Sequence, residues 1–150
     1  LPTIGCAKSL LVGRHPERWG LFRDLGITCA TADEVAGEWF DMVVDCTGQP
    51  AGLATARALV RPRGRLVLKS TFNAPSELNL TALAVDEVQL LGSRCGPFAP
   101  ALRLLERGLI VTEPLISARY PLSRGVEAFE ATRGAMKVLL QIGNGQGLQG

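Results

Sequence analysis

Short unbroken apolar runs alternate along the chain with stretches whose apolar residues recur every three or four positions. The clearest run is Met42-Val43-Val44, entered through Phe40-Asp41 and left through Asp45-Cys46-Thr47-Gly48-Gln49-Pro50. A continuous apolar run that stops at a Thr-Gly pair predicts a strand covered on both faces, the habit of parallel sheets. After Pro50, Leu53, Ala56, Leu59 and Val60 return at helical spacing until Arg61-Pro62-Arg63-Gly64 closes the helix. Residues 65–70 form the next strand. Strand, helix and strand with short links predict a right-handed βαβ unit.

Upstream, Lys8 to Val12 reads as a strand stopping at Gly13, and Pro16 sits in the first turn of a helix carrying Trp19, Leu21, Phe22 and Leu25. Residues 27–30 predict a short strand. Thr31-Ala32-Asp33-Glu34 has the form of a capping box, which predicts a helix over 32–38. Downstream, residues 72–80 are polar and Pro-containing, hence loop. A short helix over 81–85, a strand over 88–93, a helix over 100–107, an extended segment over 116–120, a helix over 122–132 capped by Ser123, and a final ordered segment over 137–142 complete the pattern. Four glycines in the last eight residues predict a flexible tail over 143–150.

Composition narrows the picture. A 150-residue chain with 47% hydrophobic content buries one sizeable core, so residues 1–142 are expected to form one domain. The net charge of +2, without runs of like charge, argues against a nucleic-acid surface or a membrane patch. Cys6, Cys29, Cys46 and Cys95 lie far apart with no histidine cluster, which points to a reducing cytoplasmic setting rather than to disulfides or structural zinc. No apolar run reaches the length of a membrane span, and no signal-peptide pattern is present. Because the first residue is Leu1, the chain reads as a piece of a longer protein or a processed form.

Ligands of open parallel sheets sit beyond the carboxyl ends of the strands. Cys46, Thr47 and Gly48, with Ser70 and Thr71 at the neighbouring strand end, therefore mark the candidate site. The plainer alternative is that Gly48 only permits the turn and Cys46 is a small core residue.

The order of several phrases resembles the C-terminal half of the medium-chain, zinc-type alcohol dehydrogenases. These phrases are Val12-Gly13-Arg14-His15-Pro16-Glu17, Phe40 through Gly48, and Val60-Arg61-Pro62-Arg63-Gly64-Arg65-Leu66-Val67. Gly92-Ser93-Arg94-Cys95-Gly96 and Met136-Lys137-Val138-Leu139 follow. The resemblance covers roughly residues 6 to 142. It implies an α/β, Rossmann-like three-layer fold with a mostly parallel sheet, truncated at its N-terminus. It also implies a dinucleotide coenzyme as partner, and a parent enzyme that exchanges hydride between an alcohol or polyol and NAD(P).

In that family the turn after the first strand here meets the adenosine ribose. Gly13 and Arg14 stand where NAD-preferring relatives usually carry an acidic residue, and Arg14, His15 and Arg18 offer donors and positive charge to a 2′-phosphate. NADP is the expected coenzyme, with NAD second; the alternative is that these are solvated side chains at a helix start. The resemblance further places Cys46, Thr47, Gly48, Lys69, Ser70 and Thr71 beside the ribose and nicotinamide, and Lys137 near the pyrophosphate. It implies a homodimer through the Val88 to Ser93 edge strand. Arg94 is expected either at the coenzyme or against an internal carboxylate.

Cys46 lacks a nearby base to make it a nucleophile. The family's G-x-G-x-x-G turn, its first strand, its zinc ligands and its proton relay find no match, and residues 1–8 read as the end of the first helix. No catalytic or metal-binding residue is therefore assigned, zinc is expected only on an absent catalytic domain, and the isolated chain is expected to be inactive. The competing readings are a zinc-free quinone or enoyl reductase, an S-adenosylmethionine-binding methyltransferase-like domain, and a non-catalytic nucleotide-binding or dimerising remnant.

Overall fold

The protein is described here by a computed structural model covering residues 8–73 and 75–143. The chain divides between Gly96 and Pro97 into two compact units, each with its own sheet structure. The expected tail beyond Gly143, and all but Lys8 of the expected helix end over residues 1–8, lie outside the described residues.

In the first unit, β1 (Leu10–Val12) pairs in parallel with β2 (Thr28–Ala30), and α1 (Gly20–Asp24) lies between them in sequence. A second, three-stranded parallel sheet has the order β3 (Phe40–Asp45), β4 (Val60–Leu68), β5 (Gln89–Gly92). The connections are α2 (Pro50–Leu59) and α3 (Leu80–Val85). The sequence pattern places the tips at Gly13, Gly48 and Ser70 side by side. Only the last two belong to one sheet, since β1 bonds to β2 and not to β3.

The core explains this layering. Leu66, fully buried, meets Leu53 and Ala56 of α2 together with Val60, and Val43 and Val88 pack against that group. The last turn of α2 sends Leu59 to a second cluster with Ala30 and Val35, where Leu10, Val12 and Phe40 join it. One helix thus ties both sheets by its apolar stripe, the positions that the 3.6-residue period picked out.

Three further expectations are corrected in this unit. β3 is covered on one face only: Val43 faces α2, whereas Met42 and Val44 are about half exposed. The register Val44↔Val67↔Leu91 extends this apolar stripe across the second face, which α2 leaves uncovered. The breaker Arg61-Pro62-Arg63-Gly64 does not precede β4 but lies inside it. Phe40 pairs with Val60 and Met42 with Arg65, so β4 carries an irregularity there. Buried Gly64 permits it, since a Cβ at that position would stand 2.8 Å from the Arg61 carbonyl oxygen and 3.0 Å from that of Asp41.

The third correction concerns the capping box. Its contacts form, with the Thr31 amide donating to Glu34 Oε2 at 2.7 Å, but the turn it starts is only a 3-10 helix over Asp33–Val35. Gly37, at φ +86°, stops it. The Glu34 carboxyl is held below its ordinary value of 4.5, first by the Thr31 amide and then by the Thr31 hydroxyl. A lowered folded value means that this contribution is complete above the unfolded value and is lost as pH falls through the folded one. As pH falls from above the ordinary value of 4.5 through the lowered folded one, Glu34→Gln is therefore expected to lose less of its urea midpoint than the unaltered chain.

In the second unit, α4 (Phe98–Glu106) precedes a parallel pair of strands, β6 (Ala118–Pro121) and β7 (Val138–Gln141), with α5 (Gly125–Glu130) between them. The expected helix over 122–132 is shorter because residues 122–124 form a 3-10 turn. Ser123 caps nothing; Arg124 occupies the cap and pairs with Glu127.

Candidate functional site

Asp45 ends β3 as a carboxyl group only 2% exposed, and a buried polar group calls for partners; its Oδ2 finds none among the described residues. Its Oδ1 accepts from the Thr47 amide at 2.9 Å and from the Thr47 hydroxyl at 2.7 Å, folding the chain back on itself just beyond the strand. The Asp45 carbonyl accepts from the amides of Lys69 and Ser70, both at 3.0 Å, joining the tips of β3 and β4. Ser70 closes the ring, its Oγ accepting from the Gly48 amide at 2.9 Å. Gly48 sits at φ +67°, in the left-handed region where glycine carries no steric penalty.

The helix that follows is fitted to this corner. A Cβ on Gly52 would lie 1.8 Å from Thr47 Oγ1 and 2.5 Å from Thr47 Cβ, so the first turn of α2 approaches Thr47 as only a glycine can. The result is a fixed, solvent-facing corner at the carboxyl end of a parallel sheet. Cys46 and Thr47 are exposed on it, with Gly48 and Ser70 half-buried behind.

The predicted residues fall into three groups. Thr47, Gly48, Lys69 and Ser70 come together, with Cys46 and Thr71 beside them in sequence. The Lys69 ammonium turns aside to donate to the Arg94 carbonyl at 2.5 Å. Arg94 thus meets Lys69 through its backbone; its guanidinium bonds no carboxylate among the described residues. Gly13, Arg14, His15 and Arg18 make a second group at the end of β1. Lys137 is exposed in the second unit, directly before β7.

At the β1 turn an acid stands among the cations. Glu17 Oε1 lies 3.1 Å from His15 Nδ1 and 3.9 Å from Arg18 Nε. Its carboxyl is held below the ordinary value by its own backbone first, then by His15 and Arg18. Arg14 remains exposed, with no hydrogen bond or ion pair among the described residues. Beneath the turn, buried Trp19 approaches Gly13 closely enough that a Cβ there would stand 3.3 Å from the indole Nε1.

Sequence reasoning missed three participants. Asp45 was legible as a charge closing an apolar strand, a position that demands partners. Glu17 was legible as an acid between two cations. Gly52 carried no signal, because a glycine early in a helix becomes informative only when the neighbouring loop is in place.

Among the described residues no three His, Cys, Asp or Glu side chains gather to hold a metal ion, so they do not fit a zinc site. Cys29, Cys46 and Cys95 are free thiols. No helix among the described residues is long and apolar enough to cross a membrane.

Parallel strands with crossover helices define a Rossmann-like class of α/β fold. Residues 3–107 match the zinc-binding dehydrogenase family, and the chain belongs to that family, the zinc-type medium-chain dehydrogenases. It is 31% identical over 97 residues to (R,R)-butanediol dehydrogenase of Neisseria gonorrhoeae, covering 63% of this chain and 27% of the relative. Sorbitol dehydrogenase of Gallus gallus is 30% identical over 106 residues, covering 69% and 30% respectively. The crystal structure of L-idonate 5-dehydrogenase from Escherichia coli K-12 superposes with a TM-score of 0.83 at 26% identity, covering 93% of this chain and 44% of that one. The chain thus spans about 30% of the length of these curated relatives and less than half of the solved chain.

Proposed function

We propose that this chain is the coenzyme-binding part of an NAD(P)-dependent alcohol or polyol dehydrogenase and that NADP is its preferred coenzyme. The observation that carries the reading is the Asp45–Thr47–Gly48–Ser70 corner at the joined carboxyl tips of β3 and β4. Relatives named for a diol and a sugar alcohol support the substrate class. The bound nicotinamide supplies the centre that accepts or returns a hydride. The chain's own residues hold and orient it: Cys46, Thr47 and Gly48 give a small, fixed surface for a flat ring, with Lys69, Ser70 and Thr71 at its side and Lys137 for the pyrophosphate. Zinc and the proton-handling groups belong to polypeptide outside these residues, and residues 1–150 alone turn over no alcohol.

The coenzyme preference rests on the turn at Gly13. Arg14 is the one cation of that turn without a partner among the described residues, so it is free to meet a 2′-phosphate, while Glu17 takes part of the charge of His15 and Arg18. The Val88 to Ser93 segment, with β5 as the edge strand of its sheet and all four strand residues exposed, suits pairing with a second copy. A cytoplasmic location agrees with the free cysteines.

Following Trp19 and Trp39 fluorescence while adding NADPH, NADH or S-adenosylmethionine tests the reading. Trp19 reports directly, because it lies under Gly13. Saturation by NADPH, with Arg14→Ala weakening NADPH about tenfold and NADH hardly at all, is the expected result. Saturation by S-adenosylmethionine instead, or a flat response to both dinucleotides, would overturn it.

A further inference from the structure

The opposite end of the same sheet carries a feature that the coenzyme does not use. At the amino ends of β3, β4 and β5, Asp41, Met42, Arg61, Arg63, Arg65 and Gln89 line an open recess of about 230 Å³. It lies three residues along β3 from Asp45, about 10 Å at the rise of a strand. Arg61, Arg63 and Arg65 are all exposed and all contribute to this lining, brought there by the irregular stretch of β4 and not by regular strand alternation.

The arrangement is not one the backbone adopts freely. Arg63 sits at φ +60°, a conformation that L-residues with a Cβ resist and glycine does not. Its amide donates to the Asp86 carbonyl at 2.7 Å, which pins the irregular stretch of β4 to the end of α3. Asp86 is itself held by the Arg57 guanidinium. Three like charges are thereby gathered with a single carboxylate, Asp41, in the lining.

Arg61 is engaged through two of its nitrogens, Arg63 and Arg65 through Nε only. Arg61 Nε donates to Asp41 Oδ1 at 2.7 Å and its Nη1 to the Pro62 carbonyl at 2.9 Å. Arg63 Nε faces Glu87 Oε2 at 3.2 Å. Arg65 Nε donates to Gln89 Oε1 at 3.2 Å and meets no carboxylate. The η nitrogens of Arg63 and Arg65 bond nothing among the described residues. Planar donor forks held close together, on a backbone strained to present one of them, match the oxygens of a phosphate group.

We propose that this recess is a phosphate-binding site, distinct from the coenzyme corner, that takes inorganic phosphate or the phosphate group of a small metabolite. Exposed ion pairs to Asp41 and Glu87 are weak enough for a doubly charged anion to compete with them.

The test is calorimetric titration of the 150-residue chain with inorganic phosphate at constant ionic strength, repeated with glycerol 3-phosphate, alongside melting curves. Saturable binding with a dissociation constant near ~1 mM is expected, a typical value for a few charge-assisted hydrogen bonds at a surface. Arg65→Gln and Arg63→Gly should each weaken it at least about fivefold. Arg63→Gly should also melt about 3 °C higher in the absence of phosphate, because the strained position is relieved, which separates lost binding from lost folding. Arg103→Gln, an exposed cation on α4 that is not part of the lining, should leave phosphate affinity unchanged. Tighter binding of glycerol 3-phosphate than of phosphate assigns the site to an organic ligand, and equal binding assigns it to the free ion. Heats no different from those of added chloride, or binding lost with Arg103→Gln and kept with Arg65→Gln, would overturn the proposal.

Discussion

Gly52→Ala is expected to break the corner at the carboxyl end of β3 and to destabilise the chain by about 1–3 kcal/mol, the usual cost of overpacking. The new methyl carbon would stand 1.8, 2.5 and 2.6 Å from Oγ1, Cβ and Cγ2 of Thr47. Thr47 is β-branched, so no χ1 rotamer empties both the Oγ1 and the Cγ2 position, and none moves Cβ; backbone must therefore move. The first turn of α2 cannot yield cheaply, because the Gly52 amide donates to the Gln49 carbonyl at 3.0 Å and Leu53, one residue on, is locked in the core. The loop moves instead, and the Thr47 bonds to Asp45 are lost with it. Coenzyme response in the fluorescence titration should fall more than about tenfold, and the urea midpoint should drop. In the Gly52→Ala background, Thr47→Gly should recover stability beyond additivity and Thr47→Ala should not, since only glycine removes the offending Cβ. A Gly52→Ala chain with an unchanged midpoint and an unchanged titration would contradict the account.

The other large effect is expected at Leu66. Its side chain is 0% exposed and packs between α2 and the sheet, so Leu66→Ala removes methyl groups from a site walled by Leu53, Ala56 and Val60. A loss of about 3 kcal/mol is expected, within the range for such truncations. The same change at Leu91, 44% exposed on the other face, should cost less than about 1 kcal/mol. Urea unfolding of the two variants side by side measures the asymmetry between the faces. Equal losses would mean that the second face is as well covered as the first.

The sequence made the βαβ unit readable because α2 and the strands around it obey clean periods, and the Thr-Gly stop located the corner. It misled wherever tertiary context overrides local preference. Arg61-Pro62-Arg63-Gly64 has the composition of a helix terminator, yet a bulged strand tolerates the same residues when a buried glycine lets the carbonyl groups close in. The apolar run at Met42 and Val44 is equally apolar whether or not something lies over it, so period alone could not reveal an uncovered face. Strand pairing was a further limit: nothing local in Leu10–Val12 states that its partner is β2 and not β3. Within the site, residues at the strand tip were legible and Asp45 carried a signal of its own, but the partners that Asp45 meets and the close approach of Gly52 were not legible. Asp45 and Gly52 act through neighbours supplied by the fold.

The irregular stretch in β4 has one more consequence. It sits wholly at one end of the strand, and beyond it Met42 through Asp45 pair without interruption with Arg65 through Leu68. Charge changes at the exposed positions 61–63 are thus expected to be absorbed before the regular ladder begins, whereas buried Gly64 has to stay. The two ends of β4 are free to diverge at different rates: selection can remodel what one edge of the sheet recognises while leaving the geometry of the other untouched.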